Sequence, residues 1–193
     1  TATANEGYIF VNWTEDGEVV STEAEYSFVI TEDVELQANF IETYDVALSV
    51  NIEDSGVITG DGTYNNGDTV TITATANEGY IFVNWTEDGE EVTAETEFTF
   101  VITEDRSFVA NFIAIYDVTL SINIEGSGEV TGAGTFTDGE TVTVTATANE
   151  GYAFVNWTED GEVVSAESEY SFEITEDRNL TANFIEIYDV TLS

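Results

Sequence analysis

The chain has no Cys, His, Met, Pro or Lys, and its only basic side chains are Arg106 and Arg178. Each absence removes a chemistry. Without Cys or His there is no thiolate nucleophile, imidazole base, structural zinc site or disulfide. Without Lys there is no Schiff base, no Walker-type phosphate loop and no Lys–Asn crosslink. Only carboxylate chemistry survives, so an enzyme is not expected.

Against two cations stand 40 Asp and Glu in 193 residues, a formal charge of -38. Such a charge repels nucleic acid and anionic lipid heads, so neither is expected as a partner. No apolar run approaches the roughly 20 residues of a membrane span, and no signal-peptide pattern opens the chain. Membrane insertion is not expected. Hydrophobic residues make up 42% and aromatics 12%, too many for a disordered acidic tail, so the chain should fold. It starts at Thr1 without Met, which reads as a processed product or a segment of something longer.

A repeat dominates the sequence. Trp13, Trp85 and Trp157 recur at a spacing of 72, and TATANEGYIFVNWTEDGE at 1–18 returns letter for letter at 73–90 and with one change, Ala153, at 145–162. Starting the unit at the YDV tripeptide divides the chain into a partial repeat at 1–43, complete repeats at 44–115 and 116–187, and the first strand of a following repeat at 188–193. Both ends cut through a unit.

Each unit reads as strands. Tyr116, Val118, Leu120, Ile122 and Ile124 alternate with polar residues, the period of two of a half-buried strand, and the same alternation recurs in TVTVTATA, EYSFEI and NLTANF. The segment YAFVNW is apolar on both faces, as in a central or bulged strand, and Val163–Ser165 adds a short one. Glu125–Gly128, Thr137–Gly139, Asn149–Gly151 and Glu159–Gly161 supply the turns. The core is expected from Tyr152, Phe154, Trp157, Tyr170, Phe172 and Phe184, each contributing about 2 kcal/mol by burial; a sugar-stacking platform is the functional alternative for the same rings. The last strand of one unit runs into the first of the next with two or three residues to spare, too few for a flexible tether. An all-β tandem array with a 72-residue period, rod- or fibre-like, is the expected architecture.

The run from Gly128 to Gly161, closed by Leu180–Phe184, resembles the divergent internalin B-type repeat of Listeria and Bacteroides surface proteins. The pattern is G-x-V-T-G-x-G-x-F/Y, then T-V-T-V-T-A-x-A-N-E-G-Y-x-F-V-N-W-T-E-D-G, then L-T-A-N-F. The resemblance covers both complete units and the leading fragment. It implies small β-sandwich or β-grasp-like modules in exported, wall-associated or adhesive proteins, an extracellular or cell-surface location, and no catalytic residues. The extreme acidity and the lack of Lys depart from the family pattern and point to a saline or cation-rich setting.

Several residues have two readings. Asn12, Asn84, Asn156 and Asn179 each begin an N-x-Thr acceptor for glycan, yet the first three immediately precede the core Trp, where packing explains them. Glu15, Asp16 and Glu18, with their copies, cluster at hairpin ends, and Glu42, Asp45, Glu186 and Asp189 flank joints. These are either a solvated acidic face or a place for non-specific divalent cations such as calcium; no ligand ladder is present, so no metal ligand or cofactor is assigned. Arg106 and Arg178 read as local surface pairs, because the first copy has Val34 at that position. The expected function is a structural stalk or extracellular filament segment whose partners are neighbouring repeats or identical chains, the latter through addition of the YDVTLS strand to an open unit. The alternative is an adhesin module that grips a glycan or protein receptor. Glycoside hydrolysis by paired carboxylates is not expected from near-identical small copies.

Overall fold

The computed structural model describes residues 1–188 and Val190, so residues 189 and 191–193 of the expected following strand lie outside the described residues. The described chain is all β. The leading fragment forms β1 (Tyr8–Glu15), β2 (Glu18–Ser21) and the start of β3 (Gln37–Val50). Next come β4 (Gly56–Thr59), β5 (Gly62–Asn65), β6 (Thr69–Ala76), β7 (Tyr80–Glu87), β8 (Glu90–Thr93), β9 (Glu97–Val101) and β10 (Arg106–Ile122). The last repeat adds β11 (Gly128–Thr131), β12 (Gly134–Thr137), β13 (Thr141–Ala148), β14 (Tyr152–Glu159), β15 (Glu162–Ser165), β16 (Glu169–Glu173) and β17 (Arg178–Glu186).

Two compact units emerge: Thr1–Asn77 with Phe82–Phe112, and Glu78–Ile81 with the chain from Ile113 onward. In the second, one sheet runs β15-β14-β17-β10, with β12 also on β10, and the other runs β11-β13-β16. Their inner faces share one hydrophobic cluster. Val142, Val144 and Ala146 of β13 meet Trp157 of β14, Leu180, Ala182 and Phe184 of β17, and Val118 of β10. These are the inward positions of the period-two pattern, so the alternation in the sequence is the burial in the fold. In the first unit β4-β6-β9 form the small sheet, and Val70, Ile72, Ala74, Trp85, Phe108, Ala110 and Phe112 are buried.

The core differs from the expected aromatic set in one member. Trp157 and Phe184 are fully buried, and Phe154, Tyr170 and Phe172 pack against the cluster from its rim. Tyr152 does not join it. It is the first residue of β14, opposite Glu186 at the end of that pairing, and the cluster is completed by small and β-branched residues such as Val142, Val144 and Ala146 of β13.

Two strands were not anticipated. Between the expected turns at Glu125–Gly128 and Thr137–Gly139 the chain forms β11, paired to β13, and β12, paired to β10. Glycine at position 128 is what lets β11 approach: a Cβ there would lie 2.5 Å from Cζ of Phe184 and 2.6 Å from the carbonyl oxygen of Thr147. β14 carries a bulge at Val155, between Phe154 and Asn156, and its partner β15 carries one at Val164, opposite the step from Trp157 to Thr158. The extra residue in β14 explains a strand apolar on both faces, because it re-aims the side chains that follow.

In the leading fragment, residues 25–29 stand at the positions of β9 but form no strand, and Val29 and Ile30 are 86% and 71% exposed. The partner that β9 finds in β6 is represented there only by Thr1–Ala4, so the ladder has nothing to pair with.

Gly128→Ala should cost roughly 1–3 kcal/mol, because the new methyl meets both a packed ring and backbone. Chemical denaturation of the variant is the check; an unchanged midpoint would refute the packing described.

Candidate functional site

The feature with the most functional content is the joint between repeats. The closing strand of the leading fragment and the opening strand of the next repeat are one strand, β3, with no residue between them. Its first half pairs antiparallel with β1, from Gln37 opposite Thr14 to Glu42 opposite Tyr8. Its second half pairs antiparallel with β5, from Thr43 to Val46, and parallel with β10, from Val46 opposite Arg106 to Val50 opposite Ala110. The short joint read from the sequence is therefore no joint at all. β10 has the same construction, pairing with β12 over Ile115–Val118 and parallel with β17 over Val118–Ile122.

Side chains hold the β3 crossover. The carboxylate of Glu42 accepts from the hydroxyl of Tyr8 at 2.9 Å and from that of Tyr44 at 2.9 Å. These two bonds, that from Tyr44 being the stronger influence, hold the Glu42 carboxyl below its ordinary value, and they push both phenols up. Asp45 beside it accepts from Thr63 at 2.5 Å, and its backbone N–H donates to Asp105 at 2.9 Å. At the equivalent of Glu42 in β10 stands Ala114, so the clasp belongs to some crossovers and not others. Glu186 accepts from Tyr188.

The N-x-Thr motifs turn out to be part of a polar clip. Nδ2 of Asn39 donates to Oδ1 of Asn12 at 2.8 Å and to Oγ1 of Thr14 at 3.1 Å. Asn111 does the same to Asn84 and Thr86, and Asn183 to Asn156 and Thr158. Residues two apart in a strand share a face, so Asn and Thr of one motif both point at the amide across the bulge. The second Asn of each clip was missed from the sequence, although A-N-F recurs at the repeat spacing. Asn84 further donates to Glu91 at 2.8 Å. Asn179 is exposed, and it accepts from the hydroxyl of Thr119.

Both arginines do more than a surface pair. Arg106 grips Glu87 through Nε and Nη2, each at 2.5 Å, and lies 4.9 Å and 4.8 Å from the ring centroids of Phe100 and Phe108. Arg178 meets Glu159 at 2.6–2.8 Å and sits 4.5 Å from the centroid of Phe172. The forked guanidinium and the flat ring faces fit together. Asp88 and Asp160, next to those glutamates, sit in two-residue hairpins with φ of 51° and 50°, where a short polar side chain is tolerated.

The carboxyls of Glu42 and Glu159 are both held below their ordinary values by their hydrogen-bond partners, the opposite of the shift a general acid requires. Among the described residues, no three acidic side chains converge where they could share a cation. One concavity of about 300 Å³ lies at strand ends and the adjoining turns, lined by Asp45, Glu87, Asp88, Asp105 and Arg106.

The sequence matches the divergent InlB B-repeat domain three times, over residues 1–43, 46–116 and 118–187. The chain belongs to this family. No curated protein matches it. B-repeats of this type occur in bacterial surface proteins, and the family is typically non-enzymatic. In the last B-repeat, the Arg178 bond holds the Glu159 carboxyl below its ordinary value, against the opposing effect of burial.

A carboxyl lowered by folding contributes stability above its unfolded value, about 4.3 for Glu, and loses it as pH falls through the folded value. Arg178→Met should therefore lower stability by roughly 1 kcal/mol at pH 7. The gap to the parent should narrow in melts taken below pH 4, leaving only the part due to the Phe172 contact, and a gap of the same size at pH 7 and pH 2 would mean that the ion pair is not its source.

Proposed function

We propose that this array is a stiff spacer, a stalk or extracellular filament segment of an exported surface protein, which acts by holding its ends apart rather than by binding or catalysis. The observation that carries this reading is β3: fourteen residues form a single strand that closes one repeat and opens the next, a span of roughly 45 Å at the rise of a β-strand. A strand paired along both halves has no free backbone torsion at which to hinge. The family's occurrence in surface proteins supports export.

The high negative charge fits the same reading. Unscreened carboxylates along an array repel one another and favour extension, and at physiological salt that repulsion is cut off beyond about 8 Å. Within a repeat the ladders, not the charges, then set the shape. Glycan and protein capture by an adhesin is the competing outcome of the test below.

Arrays of two, four and six repeats, measured by small-angle scattering or electron microscopy, should lengthen in proportion to repeat number. Freely jointed modules would grow only as about the square root of that number, and such growth, or tight binding of one isolated repeat to a glycan or protein, would overturn the spacer reading. On the same reading Asn12, Asn84 and Asn156 serve the sheet. Peptide mass spectrometry of native material should find all three unmodified, and glycan on any of them would contradict it.

A further inference from the structure

The geometry points to a mechanical clamp in each complete repeat: the parallel ladder between its first and last strands, loaded in shear when the chain is pulled from its ends. This deepens the spacer reading and rests on it for its purpose, though not for its test. In the second unit Val118, Thr119, Leu120, Ser121 and Ile122 of β10 pair in parallel with Arg178, Asn179, Leu180, Thr181 and Ala182 of β17. In the first unit Val46–Val50 of β3 pair in the same way with Arg106–Ala110 of β10.

Direction makes the clamp. Tension enters the first strand at its N-terminal end and leaves the last strand at its C-terminal end. For two parallel neighbours these are opposite ends of the ladder. The strands must slide along each other, and every ladder bond is strained together. Had the terminal strands been antiparallel neighbours, both pulls would act at one end and open the bonds one after another.

The ladder is reinforced at both ends by side chains that imitate backbone. Past its C-terminal end, Asn123 accepts from the N–H of Phe184 at 2.8 Å and donates to its carbonyl at 3.0 Å. Asn51 makes the same two bonds to Phe112, both at 2.8 Å. At the other end the carboxylate of Asp177 accepts from the N–H of Asp117 at 2.8 Å, and Asp105 from that of Asp45 at 2.9 Å. Ser121 and Thr181 bond across the rungs at 2.8 Å. Each amide bond pair extends the number of hydrogen bonds that must fail together. The ladder also backs onto Leu180, Ala182 and Val118 in the core, which shields it from the water that would otherwise replace a strained bond. Because β3 and β10 run from one closing ladder into the next opening one, no slack segment takes up extension before the clamps are loaded.

Single-molecule pulling on the full chain, between handles at its two ends, tests this. Two high-force events are expected, each releasing roughly 20 nm of chain at about 3.5 Å per residue. The chain has no cysteine, so handles can also be placed at will. With Asp117→Cys and Glu176→Cys, both exposed and both at the N-terminal end of the second clamp, the ladder should peel at no more than about half the end-to-end force, since its bonds are loaded in turn. Asn123→Ala should lower the end-to-end force and leave the peeling force unchanged, whereas loss of general stability would lower both.

Equal forces in the two directions, or an equal fall in both for Asn123→Ala, would overturn the clamp. If arrays lengthen as rods but the forces are equal, the clamp fails and the spacer stands. If force depends on direction but arrays scale as jointed chains, the spacer fails and the clamp stands.

Discussion

Backbone hydrogen bonds along a shared strand are the constraint on which this molecule depends. A strand has two edges, and every N–H and C=O along a half-buried one needs a partner. β3 satisfies one half of its length inside the leading fragment and the other half inside the following repeat. Neither half can be withdrawn without leaving polar groups unpaired next to apolar surface, so the end of one module and the start of the next are coupled through a covalent element. Flexible-linker arrays lack this property, because their joints carry no ladder to break.

The acidic composition is accommodated around that ladder. Carboxylates occupy turns and outward strand positions, while inward positions are almost wholly apolar. The two complete repeats each contain one arginine, stacked on phenylalanine and forked to a glutamate. The leading fragment has Val34 there and leaves Glu15 without such a partner. The pair is therefore an addition to a fold that can form its sheet without it. Glu42, held by two tyrosines where Ala114 stands in β10, is another such addition.

Much of this could be read from residues. Alternation in TVTVTATA identifies Val142, Val144 and Ala146 as inward but fails at Ala148, which ends β13 exposed, and the doubly apolar YAFVNW announces the bulge at Val155. The short strands β11 and β12 were hidden by glycines that look like loop, although Gly128 of β11 lets Phe184 and the backbone of Thr147 come close. Tyr152 was misjudged because alternation assigns a face without saying how far along the strand the core extends. The Asn clips were half visible: N-x-Thr suggested a glycan acceptor, but the donating amides of Asn39, Asn111 and Asn183 lie 27 residues away in sequence, and the recurring A-N-F does not say what it pairs with.

The sequence by itself determined that the chain is a β-protein repeating every 72 residues, most of the side chains that face inward, and where it turns, because those properties depend on near neighbours and on the two-residue period of a strand. Tertiary structure alone decided which strands pair, that the first and last of each repeat run parallel, and that closing and opening strands are one. Backbone N–H and C=O groups are the same at every position, so nothing local distinguishes one ladder partner from another. The choice is made when Trp157, Phe184 and their counterparts bring distant segments together in one core.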